Sequence, residues 1–390
     1  MTVTRRRTQV PPTRASKVRL RRLIFKSLRS QGYRIERERL LPPEVLDKAS
    51  VRALHAQAVS HWRELARPGL ERDENRLLKR IASGRDVNPA KVQPRLVEVQ
   101  RGSEDELLFR YAKLHWSIPV SYGYGRRLRY LVVDEQNHAL VGIFGLSDPV
   151  IGLPPRDDWI GWTPDTRNHN LRHTMDAYVM GAVPPYSSLL CGKLVAMLAA
   201  SDEVRTAFRR KYGDTRPAIS RDRFDGRLAM LTTTSALGKS AVYDRISYGG
   251  TPVYISVGFT NGWGEFHFSN GTYSAITAYA RRYCTPSQRS ARWGVGFRNR
   301  RELVEKCLRK LDIPKDWMNH GIKREVFVVP LASNSVSFLK GEAERLHWFS
   351  RPSAELSEFF KNRWLIPRSQ RDSSFQTWDN NSWRLWGRGS

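Results

Sequence analysis

The run LRYLVVDEQNHALVGIFGL, residues 128–146, decides the fold. Leu128 to Val133 and Ala139 to Leu146 are rich in β-branched, aromatic and aliphatic residues, and five polar residues, Asp134 to His138, separate them. Two such runs joined by a short polar stretch read as an antiparallel hairpin. Further strand-like runs follow at 178–183, 228–232, 241–246, 252–259 and 325–329, with helical spacing at 188–200, 202–211, 271–283, 299–311 and 353–363. Upstream, helices are predicted over 42–66 and 71–82. Ser103-Glu104-Asp105-Glu106 is a capping box opening another helix through about Trp116. Paired strands, then strand–turn–helix, then more strand give an α+β protein: a helical N-terminal region followed by a mixed, largely antiparallel sheet with flanking helices.

The order of elements suggests four segments: a basic arm and helix over 1–40, a helical region over 41–117, an α+β core over 118–350, and a helix with a Trp-rich tail over 351–390. The tail is ordered only if Trp378, Trp383 and Trp386 find pockets. A hairpin followed by a strand, the turn Pro184-Pro185-Tyr186-Ser187-Ser188 and a helix also resembles the acyl-CoA-binding half of an N-acetyltransferase. There, amides at a helix start hold a pyrophosphate. The Q/R-x-x-G-x-G/A signature of that fold is missing, and Ser187 is equally an ordinary N-cap.

Composition narrows the function. Of 390 residues, 66 are Lys or Arg and 38 are Asp or Glu, a formal charge of +28, yet 40% are hydrophobic, which excludes a disordered polycation. No run reaches the roughly 20 apolar residues of a membrane span, and the N-terminus has no apolar core of a secretory signal, so a cytoplasmic protein with no membrane partner is expected. Cys191, Cys284 and Cys307 are odd in number and form no CxxC pair, against a disulfide framework or a thiolate zinc site.

The charge is concentrated. Residues 1–40 hold 13 Lys/Arg and two acids, and residues 281–310 hold 10 and two. Such density attracts polyanions, nucleic acid foremost. Leu20, Ile24 and Leu28 recur at helical spacing with Arg19, Arg21, Arg22, Lys26 and Arg29 between them, which makes a basic amphipathic helix stopping at Gly32. Arg281, Arg282, Arg292, Arg298, Arg300 and Arg301 are the matching candidates in the second cluster. Tyr279, Tyr283, Trp293 and Phe297 beside it are either stacking platforms for single strands or core residues.

Four stretches carry potential chemistry. Arg156-Asp157-Asp158-Trp159-Ile160-Gly161-Trp162 reads as a loop. Asp157 and Asp158 are candidate ligands for Mg²⁺ or Mn²⁺ or an acid–base pair, with Trp159 and Trp162 as stacking groups; alternatively both indoles anchor the core and Arg156 pairs with an Asp. Glu265 and His267 alternate on a predicted strand and share a face, which is ligand-compatible spacing. Gly238-Lys239-Ser240 lacks the first glycine of a Walker A loop because Thr233 stands there, although Lys239 remains a candidate phosphate contact. Cys191 near a helix start is either a low-pKa thiol or a buried small hydrophobe.

The heptad 156–162, the segment TTTSALGKSAVYDR (232–245), GFTNGWGEFHFS (258–269) and HGIKREVFVVPLASNS (320–335) together resemble the A-component family of the Druantia anti-phage defence system, a domain family also found in transposon-associated proteins. The resemblance covers about residues 50–345. It implies bacterial origin, a role in phage defence and partners that include a very large helicase-like protein, and it transfers no catalytic residue. Three functional readings stand: a nucleic-acid-binding component of a defence complex, with DNA single-stranded or duplex; a metal-dependent nuclease centred on Asp157, Asp158, Glu265 and His267; and a protein scaffold.

Overall fold

A computed structural model describes residues 11–44, 47–215, 223–268, 271–287, 293 and 297–387. The chain forms two compact units, one from residues 1–61 and 261–324, the other from residues 62–260 and 325–390.

The larger unit is built on seven strands: β1 (Pro94–Glu98), β2 (Arg127–Asp134), β3 (Ala139–Ser147), β4 (Thr174–Ala182), β5 (Met230–Thr234), β6 (Ile255–Phe259) and β7 (Glu325–Pro330). They lie in the order β1-β2-β3-β4-β5-β7-β6, and every pair is antiparallel except β4–β5. The protein is therefore α+β with a mixed, largely antiparallel sheet, as the hairpin at 128–146 predicts. All nine residues of β3 are buried, which is why its sequence is apolar at nearly every position rather than alternating. On one face Tyr130, Val132, Val141 and Phe144 pack with Leu194, Val195 and Leu198 of the helix Cys191–Ala199. On the other, Leu131, Val133, Leu140 and Ile143 pack with Leu108, Phe109 and Tyr111 of the helix Glu104–Ala112. Gly142 marks the closest approach: a Cβ there would lie 2.5 Å from the Gly181 carbonyl oxygen and 2.6 Å from Val195 Cγ2.

The parallel β4–β5 pairing covers only Thr174–Asp176 against Met230–Thr232. Beyond it the strands part, bridged by Thr233 Oγ1 donating to the Ala177 carbonyl at 3.0 Å. Tyr254 reaches from this opening to the Ala196 carbonyl (2.8 Å), and Tyr243 stacks on Tyr254 at 4.8 Å. Those two rings explain a correction. The predicted strand 241–246 is a loop with a single 3-10 turn, Tyr243–Arg245, because Tyr243 packs on Tyr254 and Phe327 and Ile246 is buried while Ala241 and Val242 are exposed, a pattern no alternating ladder gives.

Other boundaries also move. The predicted helix 42–66 spans Lys48–Ala66, and residues 71–82 keep only Glu74–Leu78 as α-helix between short turns. Pro94 opens edge strand β1, a place where a missing N–H costs nothing. Ser103 caps its helix as expected, accepting from Glu106 N, while the Glu106 carboxylate accepts from Gly102 N at 2.7 Å.

In the smaller unit the basic helix is Arg14–Ser30, with Leu20, Ile24 and Leu28 buried and Gly32 past its end at φ +85°. It packs on the helix Gly271–Tyr283, which in turn packs on Phe297–Lys310. A short hairpin, Arg34–Glu36 with Arg39–Leu41, follows it. Among the described residues no helix is long and apolar enough to cross a membrane.

The Trp-rich tail is ordered. Trp383 and Trp386 are buried, and Trp383 stacks on His115 at 3.7 Å. The buried Glu74 carboxylate holds it, accepting from Tyr111 OH (2.8 Å), Leu385 N (2.7 Å) and Trp386 N (3.3 Å), with Arg384 at 3.4 Å. Replacing Glu74 by Ala leaves the Leu385 and Trp386 amides and the Arg384 guanidinium without this acceptor, while Tyr111 OH keeps the Trp383 carbonyl at 2.9 Å, and the expected cost is roughly 3 kcal/mol. Urea unfolding should show that loss, and limited proteolysis should release the segment after Trp378 in the variant but not in the wild-type chain.

Candidate nucleic-acid interface

Residues 1–61 and 261–324 carry 28 Lys/Arg against nine Asp/Glu, so 125 residues hold +19 of the +28. The helix Arg14–Ser30 turns its leucines inward and leaves Arg19, Arg22, Lys26 and Arg29 exposed, with no ion pair among the described residues. Arg22, Phe25, Lys26 and Arg29 line a shallow groove of about 420 Å³ along this outer face. Arg21 plays a different part. Its guanidinium donates to the Leu311 (2.5 Å) and Asp312 (3.1 Å) carbonyls at the end of the helix Phe297–Lys310, where a cation offsets the helix dipole. Lys17 pairs with Asp312 at 3.1 Å.

In the second cluster Arg281 and Arg282 are exposed on the last turn of their helix. Arg300 and Arg301 are engaged within the unit, Arg300 above the Tyr273 ring (4.2 Å) and 3.6 Å from Glu265, Arg301 with Glu305 at 3.1 Å. Arg292 and the side chains of Arg298 and Phe297 lie outside the described residues. Tyr279 and Tyr283 are buried against each other at 4.7 Å and so belong to the core. In the larger unit, Lys239 is exposed on a loop held by Glu325, which accepts from Ser240 N (2.9 Å) and the Ser256 hydroxyl (2.8 Å).

The heptad 156–162 is a helix, not a loop: Pro154–Ile160, ended by Gly161 at φ +79°. Two prolines in its first turn, where no intrahelical N–H is needed, start it. Arg156 is fully buried and donates to Asp157 Oδ1 (2.7 Å) and to the Val150 (3.0 Å) and Ile151 (2.9 Å) carbonyls. Asp157 Oδ2 accepts from Leu153 N (3.0 Å) and faces Arg167 at 3.3 Å. Asp158 is exposed, Trp162 Nε1 donates to the Leu339 carbonyl at 2.6 Å, and both indoles pack on Ile160, Met230, Val328 and Leu339. The two neighbouring carboxylates are thus separated by burial, and Asp157 is taken up by two guanidiniums. Asp157→Asn should destabilise the chain by about 3 kcal/mol, because a buried Arg156 loses its counter-charge; an unfolding midpoint equal to wild type would refute the clamp.

Glu265 and His267 do not share a strand face, since Phe266–Phe268 is a 3-10 turn and both polar residues are buried. Burial raises the Glu265 carboxyl, opposed by Arg300 and Arg301. His267 Nε2 donates to the Trp317 carbonyl at 2.7 Å, which leaves Nδ1 without a partner. Two further histidines close the cluster: His55, which the sequence does not mark, and His320, whose sequence reading is the end of the helical turn 316–319 and which follows the 3-10 turn Lys315–Met318. Phe266 lies between the rings of His55 (4.6 Å) and His320 (4.5 Å), His320 Nδ1 accepts from Ile322 N (3.1 Å), and His55 Nε2 lies 3.4 Å from Arg324. The signal was present in the sequence, since GWGEFHF and HGIKR are the two segments that converge here.

Desolvation lowers His55 and His267 to about 4 and His320 to about 3, so all three are neutral at pH 7. The unfolded chain binds these protons near pH 6.5, so the stability they confer is complete above 6.5 and is lost as pH falls from 6.5 through about 4. Each contributes a slope of about 1.4 kcal/mol per pH unit in that window. The urea midpoint should therefore be flat from pH 8 to 6.5 and fall below it; a flat profile down to pH 5 would mean that these rings titrate alike in the folded and unfolded chain. Among the described residues no group of three or more His, Cys, Asp or Glu is placed to hold a metal ion.

The turn after β4 holds no anion cradle. The amides of Ser187, Ser188, Leu189, Leu190, Cys191 and Lys193 all donate to carbonyls within residues 183–190. Ser187 is not the N-cap; the helix starts at Cys191 after Leu190 in the left-handed region. Burial pushes the Cys191 thiol up, so it is the buried hydrophobe of the two readings. Those amides are therefore spent within the turn, and Tyr254 OH donates to the Ala196 carbonyl.

These features define an α+β protein with a strongly basic helical unit. The family model described as Druantia protein DruA matches residues 45–341. A curated relative, Druantia protein DruA of Escherichia coli (strain UMEA 4076-1), is 37% identical over 363 residues, covering 92% of this chain and 89% of the relative. The chain belongs to the Druantia DruA family, a family of anti-phage defence components. No solved structure matches it.

Proposed function

We propose that the chain is the nucleic-acid-holding component of a Druantia defence complex, working with other proteins of the system, a large helicase-like protein among them. The observation that carries this reading is the row of exposed, unpaired cations on one helix, Arg19, Arg22, Lys26 and Arg29, in a unit bearing +19. A folded protein does not keep four like charges on one helix face for stability, since neighbours at i,i+3 and i,i+4 repel. Phosphates relieve that repulsion and release counterions in doing so. Arg281 and Arg282 extend the same chemistry, and Lys239 supplies a separate cation on the larger unit. Arg21, Arg300 and Arg301 serve the fold first, and replacing them would confound binding with stability.

The nuclease reading finds no support in the placement of its residues. Asp157 is neutralised by Arg156 and Arg167, and Glu265 and His267 are buried in the other unit.

Replacing Arg19, Arg22, Lys26 and Arg29 together by Ala should weaken binding to labelled duplex and single-stranded DNA alike, whatever the sequence. The slope of log affinity against log salt should fall by up to about 0.9 for each phosphate no longer neutralised on duplex. Fluorescence anisotropy at four salt concentrations measures it. A slope identical to wild type would remove this helix from the interface.

A further inference from the structure

In the larger unit a cavity of about 150 Å³ opens beside the helix Glu104–Ala112 and its 3-10 extension Lys113–His115, lined by Gly69, Arg110, Lys113, Leu114 and Tyr122 among others. Its polar lining is cationic, with no carboxylate among the lining residues. Lys113 is only 8% exposed, and among the described residues its side chain meets the Tyr122 ring, whose centroid lies 3.6 Å from Nζ. Arg110, three residues earlier and so on the same helical face, is half-buried and has no ion pair among the described residues. Nearby Arg129 does have one, Glu106 at 2.7 Å.

An ammonium withdrawn from water beside a half-buried guanidinium, with no ion pair to either among the described residues, is an arrangement that a fold maintains only at a cost. Burial, then Arg110, Arg129 and Arg127, lower the Lys113 ammonium to about 8. The partner that fits is an anion small enough for one such cavity. Beside it stand two accessible aromatics: Tyr122 is 53% exposed and meets the half-exposed Trp62 edge-on at 5.4 Å.

We propose that this pocket binds the phosphate of a nucleotide, with Lys113 and Arg110 holding the phosphate oxygens and the base lying against Tyr122 and Trp62. A phosphate monoester brings close to two negative charges, which matches the two unpaired cations, and a planar base stacks on an exposed aromatic surface. The site is distinct in chemistry from the basic helix: a single enclosed phosphate with an aromatic neighbour, rather than a row of surface contacts. The nucleotide is either free or the phosphorylated end of a strand, and both present the same monoester.

The test uses the full chain carrying Ala at Arg19, Arg22, Lys26 and Arg29, so that surface binding is suppressed, titrated by calorimetry with four probes. These are adenosine, inorganic phosphate, adenosine 5′-monophosphate, and a short oligonucleotide with either a 5′-phosphate or a 5′-hydroxyl. The expected result is saturable binding of the monophosphate, at least tenfold tighter than either adenosine or phosphate alone, and a tenfold or greater weakening in Lys113→Met. Methionine keeps the apolar stem and removes only the charge, so the thermal midpoint of that variant should equal or exceed that of its parent. A 5′-phosphate preference in the oligonucleotide pair assigns the strand end, and equal oligonucleotide binding assigns the free nucleotide. Absence of saturable binding by every phosphate-bearing probe, or unchanged binding by a folded Lys113→Met, would overturn the proposal.

Discussion

A central strand buried at every position has to be covered on both sides, and most of the larger unit follows from that constraint. β3 forces a helix onto each face of the sheet. The close approach of Cys191–Ala199 demands glycine at 142, and the opposite face is completed by a tail that brings Trp383 and Trp386 to it. The tail in turn needs Glu74, because a segment with little periodicity of its own is held by a carboxylate that accepts its backbone amides. Burial of one strand thus reaches the last helical turn of the chain.

The smaller unit solves a different problem, which is to fold while carrying +19. It does so by keeping its interior neutral. Three histidines that would be partly charged in water are held uncharged by burial, while cations that remain near the core are each given a local role, Arg21 at a helix end and Arg300 above an aromatic face with Glu265 behind it. Uncompensated charge is displaced to the surface, foremost to the outer face of the helix Arg14–Ser30 and to Arg281 and Arg282. Stability and polyanion attraction are thereby assigned to different residues of the same unit, which is why substitutions at Arg22 and at Arg21 should have different consequences.

How much of this was legible depended on how local the determining physics is. The hairpin, the basic amphipathic helix with its Gly32 stop and the Ser103 cap rest on spacing within about ten residues, and all three stand as read. The strand expected at 241–246 failed because Tyr243 and Ile246 answer to partners elsewhere in the fold, Tyr243 to the rings of Tyr254 and Phe327 and Ile246 to the apolar core around them. At 156–162 the side-chain roles were legible and the backbone was not: the reading with both indoles on the core and Arg156 paired with an Asp holds, but on a helix rather than a loop, and helical backbone buries one carboxylate between two guanidiniums and exposes the other. The histidine cluster was half visible. Glu265 and His267 were marked by spacing, but His55 lies some two hundred residues away, and no local pattern reports a long-range ring contact.

The same distinction separates the cations that signal function from those that do not. Composition counts Arg156, Arg21 and Lys113 alike, yet their surroundings differ in kind. Arg156 has a carboxylate and two carbonyls, Arg21 has a helix end, and Lys113 has an aromatic ring and three like charges. The first two arrangements are complete without any ligand. The third is not, because cation–π attraction is worth about 2 kcal/mol at best when desolvated, while removing an ammonium from water costs several. A deficit of that sign, in a cavity whose lining carries Arg110 and Lys113 and no carboxylate, is the electrostatics of an anion site.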